Sequence, residues 1–227
     1  MSIFSKKQEV NLEDFCRDFY EKNILNPVIA GIDAGAICFD IDRKLLVETD
    51  STFAKINSQE FASEMIPLRF ELFALAWLHQ FSDKSAVIQS VFTKKYLHEK
   101  NHDDIWEAME PYNQAIAQSS TLTARANKTP ADKEYLAYVN FKRFSLFKQY
   151  YNEGYDPECV SRALNRLFTD VTWGKDFTPR FLAFTLCGRF GYEPNEPNEE
   201  ARFRLTAIIH GLYNGARESL EKIKIKN

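Results

Sequence analysis

Phenylalanine recurs along this chain at helical spacing, and few glycines interrupt it: the 227 residues hold 19 Phe and 8 Gly. The densest stretch runs from Phe61 to Phe81. One row reads Phe61, Met65, Leu68, Leu72, Leu75 and His79, in alternating steps of four and three. A second reads Ile66, Phe70, Phe73, Trp77 and Phe81. A helix with two adjacent apolar rows is greasy around most of its circumference, so it belongs in an interior.

Other segments carry the same period. Asn11 is placed to cap a first helix whose apolar face is Leu12, Phe15, Cys16 and Phe19. Thr129-Pro130, Asp156-Pro157 and Thr178-Pro179 repeat a cap-then-proline start signal. Arg180–Phe190 is broken only by Arg180, Thr185 and Arg189, and predicts a second buried helix. Gly191 is its stop signal, and Gly154 is the stop signal of the helix that starts at Thr129-Pro130. Asn198 opens a last helix that runs into Lys222–Lys226. Ser58 or Thr52 is the expected cap before the Phe61 row, and Pro67 either opens or kinks that helix. Pro111 predicts a kink or restart, and the polar run Ser119–Thr129 predicts a long loop. Residues 28–50 are ambiguous between helix and hairpin. The expected fold is all-α, an irregular bundle of seven to nine helices in a single domain, 1–227.

Composition bounds the function. A chain of this length builds one large core without needing disulfides or metal. Net charge is −3, which argues against nucleic acid as the main partner. The charge is uneven: residues 1–120 carry −7 and residues 121–227 carry +4. An acidic half (1–120) packed on a basic half (129–227) is the simple reading. Cys16, Cys38, Cys159 and Cys187 form no CxxC pair, and the start MSIFSKKQ lacks an apolar signal core. No apolar run approaches the roughly 18–20 residues of a membrane span. A reduced, cytoplasmic protein is expected.

The sharpest local string is His98-Glu99-Lys100-Asn101-His102. It matches HExxH, where two His one turn apart bind zinc and the Glu serves as general base, and so resembles the zincin metalloproteases. That resemblance implies zinc on His98 and His102 with Glu99 as base. The apolar rhythm breaks at this point, however, so His98 is expected to end one helix and His102 or Asp103 to cap the next. Glu99 and His102 also form the ExxH half of a di-iron bundle site, for which Glu64 and Glu71 would be further ligands. No second ExxH occurs. His102-Asp103 resembles the HD phosphohydrolases, without their apolar helix. Gly31-Ile32-Asp33-Ala34-Gly35 resembles the first phosphate loop of the sugar-kinase and actin-like ATPases. Phe39-Asp40-Ile41-Asp42 resembles the nucleophile motif of the haloacid-dehalogenase-like phosphatases. Both families imply parallel strands that the downstream sequence does not offer.

Two helical faces remain. Tyr135–Tyr151 interleaves aromatics with Lys142, Arg143 and Lys148, which reads either as a nucleic-acid surface or as an amphipathic helix with a wet basic side. On the last helix Thr206, His210, Asn214 and Arg217 line up beside the core face of Leu205, Ile208, Ile209, Leu212 and Ala216. Ala207, Gly211 and Gly215 are small and four apart, which suggests close approach of a backbone or ligand. If a ligand pocket exists, its expected residues are Glu71, His79, His210, Asn214 and Arg217. The leading expectation is a non-catalytic module acting through a protein partner or as a homo-oligomer, with no cofactor. The alternatives are a metal-dependent helical enzyme, with zinc or iron at His98, Glu99 and His102, and a small-ligand-binding bundle.

Overall fold

The computed structural model describes residues 7–21, 42–128, 133–171, 176–194 and 196–226. Nine helices occur among them: α1 (Leu12–Tyr20), α2 (residues 42–49), α3 (Ser58–Gln80), α4 (Ser85–Phe92), α5 (Asp103–Lys128), α6 (Lys133–Asn152), α7 (Pro157–Val171), α8 (Thr178–Arg189) and α9 (Glu199–Glu221). The protein is all-α, apart from one small pair of strands. The lookalike motifs at Gly31–Gly35 and Phe39–Ile41, and the Thr129-Pro130 signal, lie outside the described residues.

The chain forms two compact units. The first comprises Met1–Leu45, Asn57–Glu110 and His210–Asn227; the second comprises Leu46–Ile56 and Pro111–Ile209. Their borders cut across the acidic and basic halves of the sequence.

The first unit is organised on α3. Its helix starts at a reciprocal cap: Asn57 Oδ1 accepts from Glu60 N at 2.9 Å, and Glu60 Oε2 accepts from Asn57 N at 3.0 Å. This corrects the expectation of Ser58 or Thr52 as the cap. Pro67 sits inside the helix, which neither starts nor stops there. Phe61, Met65, Leu68 and Leu72 of one row and Phe70, Trp77 and Phe81 of the other are buried. The row thins out at its end, where His79 is exposed. Phe19 of α1 meets Phe73 and Trp77 edge-on at 4.9 Å and Phe92 at 5.3 Å. Such T-shaped contacts favour the positive ring edge over the negative face.

Residues 223–226 correct a second expectation. They are a strand, β2 (Ile223–Lys226), paired in parallel with β1 (Gln8–Asn11), with Val10 opposite Ile225. The string Ile-Lys-Ile-Lys alternates with period two, which suits a strand with one face inward. Ile225 is buried, and Lys224 and Lys226 reach Glu9 at 3.3 and 2.8 Å. Lys84 Nζ donates to the Ile225 carbonyl at 2.8 Å.

The second unit contains α8 as its most apolar helix, with Phe181, Leu182, Ala183, Leu186 and Cys187 buried. Residues 119–128 of the expected loop are instead the continuation of α5, which also runs unbroken through Pro111, and Thr129 lies outside the described residues. Ala115, Ser119, Leu122 and Ala126 are buried at steps of four, three and four. The polar Ser119 hides this period. Its hydroxyl lies 2.9 Å from the Ile116 carbonyl and 3.0 Å from Thr178 Oγ1, so its burial carries no unmet hydrogen bond. Thr178 is therefore not a cap; Asp176 Oδ1 accepts from its N–H at 3.0 Å. Asp156 and Asn198 do cap α7 and α9, accepting from Cys159 N at 2.9 Å and Ala201 N at 3.0 Å. Gly154 and Gly191 take φ of 91° and 74°, which an L side chain resists.

Among the described residues no helix is long and apolar enough to cross a membrane.

Candidate functional site

The HExxH residues do not share a helix. α4 widens into a π turn at Thr93–Leu97 and then tightens into a 3₁₀ turn at His98–Lys100. Asn101 then takes φ 60°, ψ 44°, the left-handed conformation that ends a helix. α5 begins at Asp103, two residues later. His98 Nδ1 is bonded to Asp103 Oδ1 and His102 Nε2 to Tyr20 Oη at 3.0 Å. Each imidazole thus has one ring nitrogen engaged by another side chain. Glu99 is exposed. Among the described residues no group of three or more His, Cys, Asp and Glu side chains is arranged to hold a metal ion.

The proposed pocket set is partly brought together. His79 Nδ1 is hydrogen-bonded to the Tyr213 hydroxyl, which joins the end of α3 to α9. Arg217 stacks over the Tyr213 ring at 6.0 Å and pairs with Glu221 at 3.7 Å. His79, His210 and Arg217 are exposed, and Asn214 is half-buried. Gly211 and Gly215 have open space where a Cβ would stand, so no backbone or side chain approaches them closely. Tyr213 is the member of this group that the polar-stripe pattern missed, being an aromatic between the polar positions.

Glu71 is different. It is 5% exposed on α3, and burial together with the nearby Glu110 carboxylate pushes its pKa up to about 7. The Cys16 and Cys187 thiols are also buried, and burial pushes both up to about 12, which makes them poor nucleophiles.

Two features of the second unit remain, the first on the aromatic and basic stretch Tyr135–Tyr151 and the second not singled out by the sequence. The first is the outer face of α6. Ala137, Phe141, Phe144, Lys148 and Tyr151 recur at steps of four, three, four and three, and all are exposed. Phe141 is 62% and Phe144 66% exposed. α6 packs on α7, and between them lies a groove of about 280 Å³ walled by Phe144 and Phe147 and including Leu164. Arg143 is bonded to Asn165 beside it.

The second feature is a cleft of about 580 Å³. Ala163 and Leu167 of α7, Ala183 and Phe184 of α8 and Phe203 of α9 supply apolar walls. Arg180, Arg202, Glu199, Glu200 and Thr206 supply polar groups. Nη1 of Arg180 is buried and has no hydrogen-bond partner. Phe203 is 71% exposed at the cleft.

No protein family, no curated protein and no solved structure matches this chain. Function is therefore argued from these side chains alone.

Proposed function

We propose that this protein is a non-catalytic association module that pairs with a second copy of itself through the outer face of α6. The observation that carries the reading is the exposed row Ala137, Phe141, Phe144, Lys148 and Tyr151. Contiguous exposed aromatics are costly in water and mark interaction surfaces. Steps of four and three are the seam spacing of paired helices.

The centre and the two ends of the row can meet their own copies, while Phe141 and Lys148 meet positions beside it. In an antiparallel pair centred on Phe144, Ala137 stands opposite Tyr151, Phe141 opposite Phe147, and Lys148 opposite Asn140. Small faces large at the two ends, aromatic faces aromatic between them, and each ammonium faces an amide rather than its twin. The groove beside Phe144 has room for a partner's ring. A two-fold pairing of this kind is the commonest symmetry of homo-oligomers. The row from 137 to 151 spans only about 21 Å of helix, so the pair is expected to be weak and concentration-dependent. A reducing, cytoplasmic setting accompanies this reading, because Cys16 and Cys187 are buried thiols.

The metal-dependent alternative draws less support, since His98 and His102 do not share a helix and no group of three metal-ligating side chains gathers around them among the described residues.

Sedimentation velocity over a wide dilution series tests the proposal. The expected result is a monomer–dimer equilibrium that Phe144→Asp shifts to monomer while far-UV circular dichroism stays unchanged. A wild-type chain that is monomeric at every concentration, or a dimer that survives Phe144→Asp, overturns it.

A further inference from the structure

We infer that the cleft lined by α7, α8 and the first turns of α9 binds an amphipathic organic anion: a carboxylate or phosphate-monoester head on an apolar body. This site is separate from the α6 face and does not depend on self-association.

Size and lining come first. A volume of about 580 Å³ lies within the roughly 300–1,000 Å³ of small-molecule sites, which are typically apolar with a few convergent polar groups. Leu167, Phe184 and Phe203, with two alanines, are the apolar part. Phe203 is 71% exposed there, so a ligand body laid against it removes a large apolar surface from water.

The head group follows from Arg180. A guanidinium is charged at any working pH and presents a planar fork of donors. One of its nitrogens, Nη1, is buried without an acceptor. A buried donor left unmet is costly, and more so when it carries charge. Nη1 is closed to solvent in this arrangement, so an anionic oxygen meets it after a shift of the Arg180 side chain toward the cleft, and a carboxylate or phosphate then takes the two-pronged geometry that arginine favours.

The other charges in the cleft do not cancel this preference. Glu200 is paired with Arg204 at 3.2 Å. Glu199 stands in the first turn of α9, where the positive end of the helix dipole favours negative charge. Arg202 adds a second guanidinium; its Nη1 donates to the Pro194 carbonyl at 3.5 Å, and its charge helps to hold Asp50 ionised. Thr206 turns its hydroxyl back to the Arg202 carbonyl at 2.8 Å. Arg180 is one of the two guanidinium groups that line the cleft.

Titration calorimetry of the full chain tests the inference, with decanoate and decyl phosphate below their aggregation thresholds as probes. Decanol tests the head group, and acetate and inorganic phosphate test the body. The expected result is saturable binding of one or both amphipathic anions, with decanol, acetate and phosphate at least about tenfold weaker. Arg180→Gln should weaken the preferred anion by about tenfold or more, with Arg180→Lys intermediate. Phe203→Ala, at an exposed position with little bearing on folding, should weaken it several-fold. Binding of decanol as tight as decanoate, binding of phosphate alone as tight as decyl phosphate, unchanged affinity in folded Arg180→Gln, or no binding of any probe each overturns the inference. Repeating the titration in the Phe144→Asp background keeps the two proposals apart, because the cleft should bind equally well there.

Discussion

The Tyr20 hydroxyl and His102 Nε2 are 3.0 Å apart, so the second histidine of the HExxH string ties the start of α5 to the end of α1. Their rings also sit 5.7 Å apart, next to Tyr96. A neutral hydrogen bond of this kind contributes about 1 kcal/mol. His102→Ala and Tyr20→Phe are therefore each expected to lower stability in urea by about that amount, with the double variant costing less than the sum. Zinc or a chelator should leave the melting temperature of the wild type unmoved. A zinc-dependent rise of several degrees that His102→Ala abolishes would restore the metal reading.

Glu71 makes stability depend on pH near neutrality. Its folded pKa, about 7, lies above the ordinary glutamate value of 4.5, so the folded state holds the proton more tightly than the unfolded state. The sign follows: the penalty is absent below the unfolded pKa, grows as pH rises between the two values, and is complete above about 7. Its size is on the order of 3 kcal/mol for a shift of this magnitude. Glu71→Gln should raise stability at pH 8, change it little at pH 4.5, and flatten the slope between them. Denaturation profiles of variant and wild type that run parallel from pH 5 to 8 would contradict this.

Asp50 works in the opposite direction. Burial pushes its carboxyl up, but the backbone N–H groups of Asn198 (2.6 Å) and Thr52 (3.0 Å) and the Thr52 hydroxyl (2.8 Å) hold it below its ordinary value. A depressed carboxyl contributes stability above its unfolded pKa and loses it as pH falls through the folded one. Asp50→Asn is expected to cost about 1–2 kcal/mol at pH 7, since charged acceptors are stronger than neutral ones. The difference from wild type should shrink below pH 3. Guanidinium melts at the two pH values measure it, and an equal difference at both would refute the role assigned to the charge.

Much of the fold was legible because period and caps are local signals. The two rows of α3, the apolar α8 and the caps Asn11, Asp156 and Asn198 needed no tertiary information. Ser119 defeated the pattern because a buried hydroxyl met by Ile116 and Thr178 looks, in sequence, like a solvent-facing one. Ile223–Lys226 was read as a helix end because its partner strand lies at the far end of the chain. The candidate sites were harder. The break at residues 98–104 was visible in the lost rhythm and did separate His98 from His102. Arg180 registered only as a flaw in an apolar helix, since nothing in the sequence says that Phe203 and Leu167 will join it around a cavity. The aromatics of α6 go nearly all round the helix, so the sequence could not tell its exposed row from its buried one.

The parallel pairing of β1 with β2 has a consequence for biogenesis. Gln8–Asn11 must wait for Ile223–Lys226, and so the aromatic cluster around Phe19 and Trp77 lacks its last wall, including Ala216, Leu220 and Ile225, until those residues have been made. At roughly 5–20 residues per second, the stretch Pro111–Ile209 takes on the order of 5–20 s to emerge. That stretch holds all but a short segment of the second unit, which can therefore close while the first is still open. Translation thus orders assembly, and the unit that starts first finishes last. Its greasy surface needs shelter from neighbouring nascent chains for the whole interval, a demand on chaperones rather than on the folded state.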